Sequence, residues 1–225
     1  MRAGTIVSTE AFRLDMTMMF AMHDALRREL ERIARMTARP DSHPEQILRT
    51  AAGWEMFKSY LRIHHTSEDD ALWPVMSRAL TARPDDLSLL DAMEIEHAAI
   101  DPLLNTIDAV VADPDRRPDE LGDLVDRLIS TLSDHLRHEE KETLPLINAT
   151  LTHEQWQHFT EVHRSRIGTD VPRYFPWLLD SASPESVAAV LDHLPGNVRD
   201  IYESTWQPTY ARLDPWGARK PDGGQ

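Results

Sequence analysis

Apolar residues recur at alternating spacings of three and four through four long segments in the first 150 residues. This period places them on one face of an α-helix that packs against a core, and strand-like alternation is absent. Proline-containing stretches separate the segments at positions 39–44, 82–86 and 113–118, where proline ends or delays a helix. Short connections favour antiparallel neighbours, so the pattern predicts an all-α, up-down-up-down four-helix bundle.

Polar residues interrupt each of the four apolar faces near the middle of its segment. The first and third segments each carry one histidine, and the second and fourth each carry a histidine followed four positions later by a glutamate. These residues are His23, His97, His64 with Glu68, and His135 with Glu139. Antiparallel packing would bring the midpoints together in one core layer, where an unpaired imidazole or carboxylate costs several kcal/mol. A compensating partner is therefore expected.

The spacing within each pair is suited to binding metal. Residues four apart on a helix lie on one face, about 5 to 6 Å apart. A carboxylate from each of two helices can bridge two metal ions about 3.5 to 4 Å apart, while imidazoles bind one ion or the other. Imidazole and carboxylate ligands without thiolate suit iron or manganese. We expect two ions, and we favour iron over manganese.

A single His-x-x-x-Glu pair is a weak signal, because long helices rich in glutamate produce it by chance. Here the pair occurs twice with matching surroundings: HHTSEDDALWP (64–74) aligns with HLRHEEKETLP (135–145). The alignment also matches Pro74 with Pro145. Two such copies on two apolar faces, with histidines on the other two, favour a metal site over solvated surface pairs.

The ordered set of histidines and glutamates resembles the hemerythrin-like (HHE cation-binding) proteins over about residues 9–149. The resemblance implies a non-haem di-iron centre in a four-helix bundle, with two iron ions joined by an oxo or hydroxo bridge and by Glu68 and Glu139. It also implies that His23 and His64 bind one iron ion and that the other two histidines bind the second.

The third segment departs from the pattern of the oxygen-carrying members of that family, which have two histidines four apart there. The positions four away from His97 are Met93 and Asp101. The fourth segment departs as well, since those members have an aspartate five residues after its histidine. The missing imidazole would leave a coordination position to Asp101, water or substrate. This departure favours redox chemistry with peroxide, nitric oxide or oxygen over reversible oxygen carriage.

Three further residues are candidates for the site, each with a competing interpretation. His65 and Asp69 repeat the four-residue spacing one step round the second helix, and a surface pair is favoured over ligation. Tyr60 lies one turn earlier and would be a hydrogen-bond donor or ligand, although a position at the edge of the core is favoured. Glu94 stands three residues before the third-segment histidine, as in ferritin-like di-iron bundles. Only one copy of that spacing is present, so a solvated or supporting acid is favoured.

Residues 151–225 carry none of the motif and are predicted to form a helical extension to a bundle of residues 1–150. One helix would end near Gly168, and another would begin after Ser183, with a third over residues 198–213. The extension would pack on the bundle or on a second subunit in a homodimer, and the tail from residue 217 would be disordered. Four histidines outside the motif are expected at the surface: His138, His158, His163 and His193.

The composition excludes several other classes of function. The formal charge of −14 repels nucleic acid phosphates. The sequence shows neither an apolar run of about 18 residues nor a signal peptide, so a cytoplasmic protein without a membrane anchor is expected. The absence of cysteine excludes disulfides and iron–sulfur clusters. Any metal must therefore be bound by histidines and carboxylates.

These observations predict a non-haem di-iron protein that binds or reacts with a small oxidant, namely oxygen, peroxide or nitric oxide. Two alternatives stay open. One is a di-iron oxidase or oxygenase that acts on a small metabolite, and the other is a reversible sensor or store for oxygen, nitric oxide or iron without turnover. If the protein is an enzyme, we expect a di-iron oxidoreductase dependent on peroxide or oxygen. A metal-free helical scaffold is the simplest competing explanation.

Overall fold

The computed structural model describes residues 12–38, 44, 48, 51–113 and 118–217, which contain helices and no strand. The helices of the bundle are α1 (Thr17–Thr37), α2 (Ala52–Ala71), α3 (Trp73–Ala79), α4 (Pro84–Ala112), α5 (Pro118–His138) and α6 (Leu144–Thr150). Those of the extension are α7 (His153–Ile167), α8 (Val171–Leu179), α9 (Pro184–Asp192), α10 (Gly196–Ile201) and α11 (Gln207–Leu213). Within these ranges, no helix combines the length and the hydrophobicity needed to cross a membrane.

The described residues between 12 and 150 form the predicted up-down-up-down bundle, with an apolar core in two clusters. In α1, Met19 belongs to one cluster and Leu26 to the other, with a histidine between them. In α2 the order along the chain is reversed, because Leu61 belongs to the cluster of Leu26 and Ala71 to that of Met19. The reversal is what antiparallel packing requires, and it places a polar layer between the two apolar clusters.

Both helices that carry a His-x-x-x-Glu pair change their hydrogen bonding directly after it. Helix α2 ends before Leu72, and α3 continues the same segment with Pro74 in its first turn. Helix α5 passes into a π-helical turn over Glu139–Thr143, where the Leu144 N–H donates to the Glu139 carbonyl. Each proline lacks an N–H and clashes with the preceding turn, so it disturbs the helix about one turn upstream.

The extension contacts α1 and α2. The indole of Trp156 in α7 donates to the Asp15 carbonyl at 3.0 Å, and Arg28 of α1 donates to the Trp177 carbonyl at the end of α8. Helix α7 begins at a capping box formed by Thr152 and Gln155. It ends at Gly168, as predicted, and the φ angle of this glycine is +55°. The predicted disordered tail lies, from residue 218 onward, outside the described residues.

Candidate metal centre

Four fully or almost fully buried side chains from α1, α2 and the π-helical turn form the first group of potential metal ligands. Each of His23, His64, Glu68 and Glu139 offers one ligand atom within 4.8 Å of the others. The Nε2 atoms of His23 and His64 are 3.1 Å apart. Two imidazole nitrogens bound at right angles to one metal ion at about 2.1 Å each would lie about 3 Å apart. The group is thus closed around a space the size of a metal ion.

Three buried imidazoles from α2, α4 and α5 form a second group, which consists of His65, His97 and His135. The rings of His65 and His97 are stacked at 3.9 Å with planes 8° apart, and the ring of His135 meets that of His97 edge-on at 4.7 Å. Each offers a ring nitrogen within 4.8 Å of the other two.

The two glutamates lie between the groups. Glu68 places Oε1 3.4 Å from His64 Nδ1 in the first group and Oε2 3.5 Å from His97 Nε2 in the second. Glu139 Oε2 lies 3.2 Å from His23 Nε2 and 3.9 Å from His135 Nε2. Both carboxylates can therefore contact ions in both groups.

Carboxylates outside the layer orient three of the imidazoles. His23 donates from Nδ1 to Glu140 at 2.9 Å, His97 to Asp69 at 2.7 Å and His135 to Glu96 at 2.9 Å. A neutral imidazole that donates from Nδ1 has its lone pair on Nε2, which is the atom that faces the layer. Such carboxylate–imidazole pairs are the usual support of metal-bound histidines.

Each of these outer carboxylates also accepts a second hydrogen bond. Glu140 receives two hydrogen bonds of 2.8 Å from the guanidinium of Arg27. Burial opposes the ionisation of Glu140, but the hydrogen bonds from the imidazole and from Arg27 outweigh it and lower its pKa to about 2. Asp69 accepts from Trp73 Nε1 at 3.0 Å, and Glu96 accepts from His138 at 2.8 Å. His138, which was predicted at the surface, is partly exposed, with 31% of its side chain accessible to solvent.

Seven buried atoms that face the layer have no hydrogen-bond partner among the described residues. They are both carboxylate oxygens of Glu68, both of Glu139, and the Nε2 atoms of His65, His97 and His135. The close approaches between the glutamate oxygens and the imidazole nitrogens lack the alignment of a hydrogen bond. An unsatisfied buried polar group costs about 1 to 3 kcal/mol, and such a concentration is rare in a folded core. Metal cations would satisfy all seven, so the donor set fits a metal.

The pKa values of the layer are shifted in both directions. Burial, then the neighbouring imidazoles, lower the pKa of His64 and of His65 well below the usual value, so both rings are neutral. Burial and the charge of Glu139 raise the pKa of Glu68 well above the usual value. Burial also acts to raise the pKa of Glu139, but His23 and the other imidazoles outweigh it and lower that pKa.

The six residues of the predicted motif lie together in the two groups, and His65 joins them. His65 is 7% exposed, so the prediction of a surface pair is wrong. Its ring lies next to that of His97, whose own segment has no second histidine. Helix α2 is buried on two faces here. The spacing of apolar residues indicated only one of these faces, so it did not predict that His65 is buried. Asp69, predicted as its surface partner, instead orients His97.

The other candidates lie outside both groups. Tyr60 is buried and donates to Asp170 at 2.5 Å, in agreement with the favoured core position. Asp101 is exposed and pairs with Arg62 at 3.6 Å, so it does not take the position of the missing histidine. Glu94 is exposed, as favoured for a solvated acid.

His163 of the extension approaches the site, although it was predicted at the surface. Its ring lies 6.2 Å from that of His64, and burial lowers its pKa to about 4. The sequence carried a signal for this position, since His163 continues the helical spacing of the buried residues Trp156 and Phe159. His193 and His158 are exposed as expected.

Comparisons with known proteins agree with this arrangement. The family model described as "Hemerythrin HHE cation binding domain" matches residues 15–147, which is more than half of the chain and includes both groups. No curated protein and no solved structure matches the chain.

Proposed function

The chain belongs to the hemerythrin HHE cation-binding family, and on that premise we propose that it is a non-haem di-iron protein that reacts with a small oxidant, namely oxygen, peroxide or nitric oxide. The observation that carries the proposal is the set of seven buried atoms without hydrogen-bond partners, all of which face one layer. A scaffold without metal would have to tolerate all of them at the cost of folding free energy.

The two groups suggest which residues bind each ion. His23 and His64 would bind one ion, and His65, His97 and His135 the other, with Glu68 and Glu139 shared between them. The first ion would have two imidazoles and the second three. The position for an exogenous ligand is therefore proposed at the first ion, which has fewer protein ligands.

Iron is the metal that the donor set favours in this proposal. Imidazole and carboxylate donors without any thiolate suit iron or manganese, and geometry and availability decide between them. The chain contains no cysteine, so a thiolate ligand is excluded. A pair of iron ions would supply the electrons needed to reduce oxygen or peroxide.

The residues of this chain would orient the ligands and exclude water. Glu140, Asp69 and Glu96 keep the imidazole lone pairs on Nε2. The apolar clusters on either side of the layer, which include the fully buried Leu132 and Met93, keep bulk water away from it. Exclusion of water strengthens electrostatic interactions in the site and protects a reactive species from side reactions.

The proposal is tested by mixing anaerobically prepared, ferrous-loaded protein with hydrogen peroxide, oxygen or nitric oxide in a stopped-flow spectrometer. We expect a rapid optical change with at least one oxidant, and its loss in Glu139→Ala and His64→Ala at equal protein concentration. Oxygen release from added peroxide would indicate turnover, whereas a change reversed by removal of the gas would indicate a sensor or store. Iron-loaded protein that is inert to all three oxidants would refute the proposal.

A further inference from the structure

A cavity of about 280 Å³ opens between α2 and α4 beside the second group. Its inner wall includes the rings of His65 and His97, and its outer part is formed by Arg62 and Asp101, among others. One water molecule takes about 30 Å³ of liquid, so the cavity has room for a partly hydrated cation. The cavity therefore connects solvent with one of the two groups of ligands.

The side chains that line the cavity carry more negative than positive charge. Three carboxylates, Asp69, Glu94 and Asp101, face a single guanidinium, that of Arg62. The chain as a whole has a charge of −14. A concave surface of one sign concentrates ions of the opposite sign and raises their rate of association. The lining thus favours a cation and disfavours an anion, while a neutral oxidant is unaffected by it.

The two imidazole rings of the inner wall each carry a nitrogen atom that is available to bind a cation. His65 and His97 are both 7% exposed, and the Nε2 atom of each is buried without a hydrogen-bond partner among the described residues. These rings thus join the solvent side of the cavity to the layer of ligands.

Helix α4 also lacks one backbone hydrogen bond next to the cavity. Pro102 lies inside α4 and has no N–H, so it cannot donate to the carbonyl of Ala98 four residues earlier. Ala98 lines the cavity. Carbonyl and carboxylate oxygens are ligands of divalent cations.

We propose that this cavity is the entry route by which a divalent metal ion reaches the second group, with Asp101 and Glu94 attracting the ion and Arg62 opposing it. The proposal rests on the metal-binding part of the proposed function and not on any reaction with an oxidant. Arg62 Nη2 lies 3.6 Å from Asp101 Oδ1, and both side chains are about half exposed. Replacing either should therefore change the charge of the entrance without disturbing the core.

The test measures how fast metal-free protein takes up Co²⁺, followed by the visible absorption of the bound ion in a stopped-flow spectrometer. A unit charge about 8 Å from a divalent cation in water changes the local cation concentration about fivefold. We expect Asp101→Asn and Glu94→Gln to bind Co²⁺ several-fold more slowly at about 20 mM ionic strength, and Arg62→Gln to bind it several-fold faster. At about 0.5 M salt, where the Debye length is about 4 Å, the differences should largely disappear.

A matched control is available in α1. Arg35 and Glu31 form an exposed ion pair at 3.5 Å that does not line the cavity. Arg35→Gln and Glu31→Gln make the same changes of charge and should leave the rate of uptake unchanged. The amount of Co²⁺ bound at equilibrium should be the same in all variants.

Three results would overturn the route. They are equal changes of rate in the cavity and control variants, slower uptake by Arg62→Gln, and effects that persist at high salt. Any of these would leave the proposed function intact, provided that the wild-type protein binds Co²⁺ at equilibrium. A wild-type protein that binds no Co²⁺ would overturn the route and would also count against the metal site.

Discussion

At the scale of single residues, the most unusual feature is a pair of fully buried glutamates without hydrogen-bond donors. Glu68 and Glu139 are both 0% exposed, and neither carboxylate has a partner among the described residues. When no compensating charge is present, a buried carboxyl group without a hydrogen-bond partner carries a desolvation cost, and an apolar replacement removes that cost. The same replacement removes a ligand when that charge is a metal ion.

Glu68→Leu should therefore raise the melting temperature of the metal-free protein and abolish the stabilisation by bound metal. We expect the metal-free variant to melt about 2 to 6 °C higher than metal-free wild type, because a desolvation cost of about 1 to 2 kcal/mol is removed. The gain in melting temperature on adding metal should disappear. Calorimetry of both forms, with and without chelator, measures this. A variant that still gains stability from metal would contradict the role given to Glu68.

His65→Ala should lower the number of metal ions bound per chain. His65 is stacked on His97 and has a buried Nε2 without a partner, so its loss removes one of three imidazoles from the second group. Anaerobic titration with Co²⁺ should show weaker binding of the ion at one of the two metal sites. His158→Ala, which changes an exposed histidine of α7, is the control. Unchanged affinity and stoichiometry in His65→Ala would show that this residue only fills space.

Metal binding should release protons at neutral pH. Burial lowers the pKa of His23, but Glu139 and Glu140 outweigh it and raise that pKa to about 9 in the metal-free protein. At pH 7 the imidazole therefore carries a proton that a metal ion must displace. Titration calorimetry in buffers of different ionisation enthalpy should show proton release at pH 7, with less at pH 10. Binding without release would contradict the ligand role of His23.

At the scale of helices, apolar spacing and proline positions predicted much of the fold. The four segments, the end of α7 at Gly168 and the start of α9 after Ser183 all follow from local signals. Helix α8 was not predicted, because Pro172 and Pro176 suggest a loop, yet both are tolerated in its nine residues. The π-helical turn after Glu139 was not predicted either, since its hydrogen-bond shift depends on packing as well as on Pro145.

Pro215 and Trp216 are attached to the bundle by a close contact that sequence patterns do not reveal. The indole of Trp216 donates to the buried Glu29 at 2.7 Å and packs directly on Gly53, whose N–H donates to the Pro215 carbonyl. A Cβ atom at residue 53 would overlap the indole. This segment therefore connects α1 and α2 through the last described residues.

Gly53→Ala should destabilise the protein by about 1 to 3 kcal/mol, because the added methyl group displaces the indole from its site. The melting temperature should fall by several degrees, and fluorescence of the tryptophans should change. Gly122→Ala is a matched control, since a Cβ atom there meets no other atom within 4 Å. Equal effects of the two substitutions would refute the contact.

At the scale of the whole molecule, two apolar clusters enclose one polar layer, and the extension covers part of its edge. The sequence predicted the layer because four midpoints of antiparallel helices must coincide. The inward position of His65 was not predicted, because it depends on how the neighbours of α2 cover that helix. That of His163 was missed, although its helical spacing with Trp156 and Phe159 indicates it. The layer is costly without metal, so the stability of the fold and the occupancy of the site should be coupled.

The most direct test of this account is anomalous diffraction at the iron edge from crystals of iron-loaded protein. We predict two peaks in each chain, one among His23, His64 and the shared glutamates and the other among His65, His97 and His135. Peaks elsewhere, or no peak in the layer of protein that has been anaerobically loaded with iron, would contradict the account.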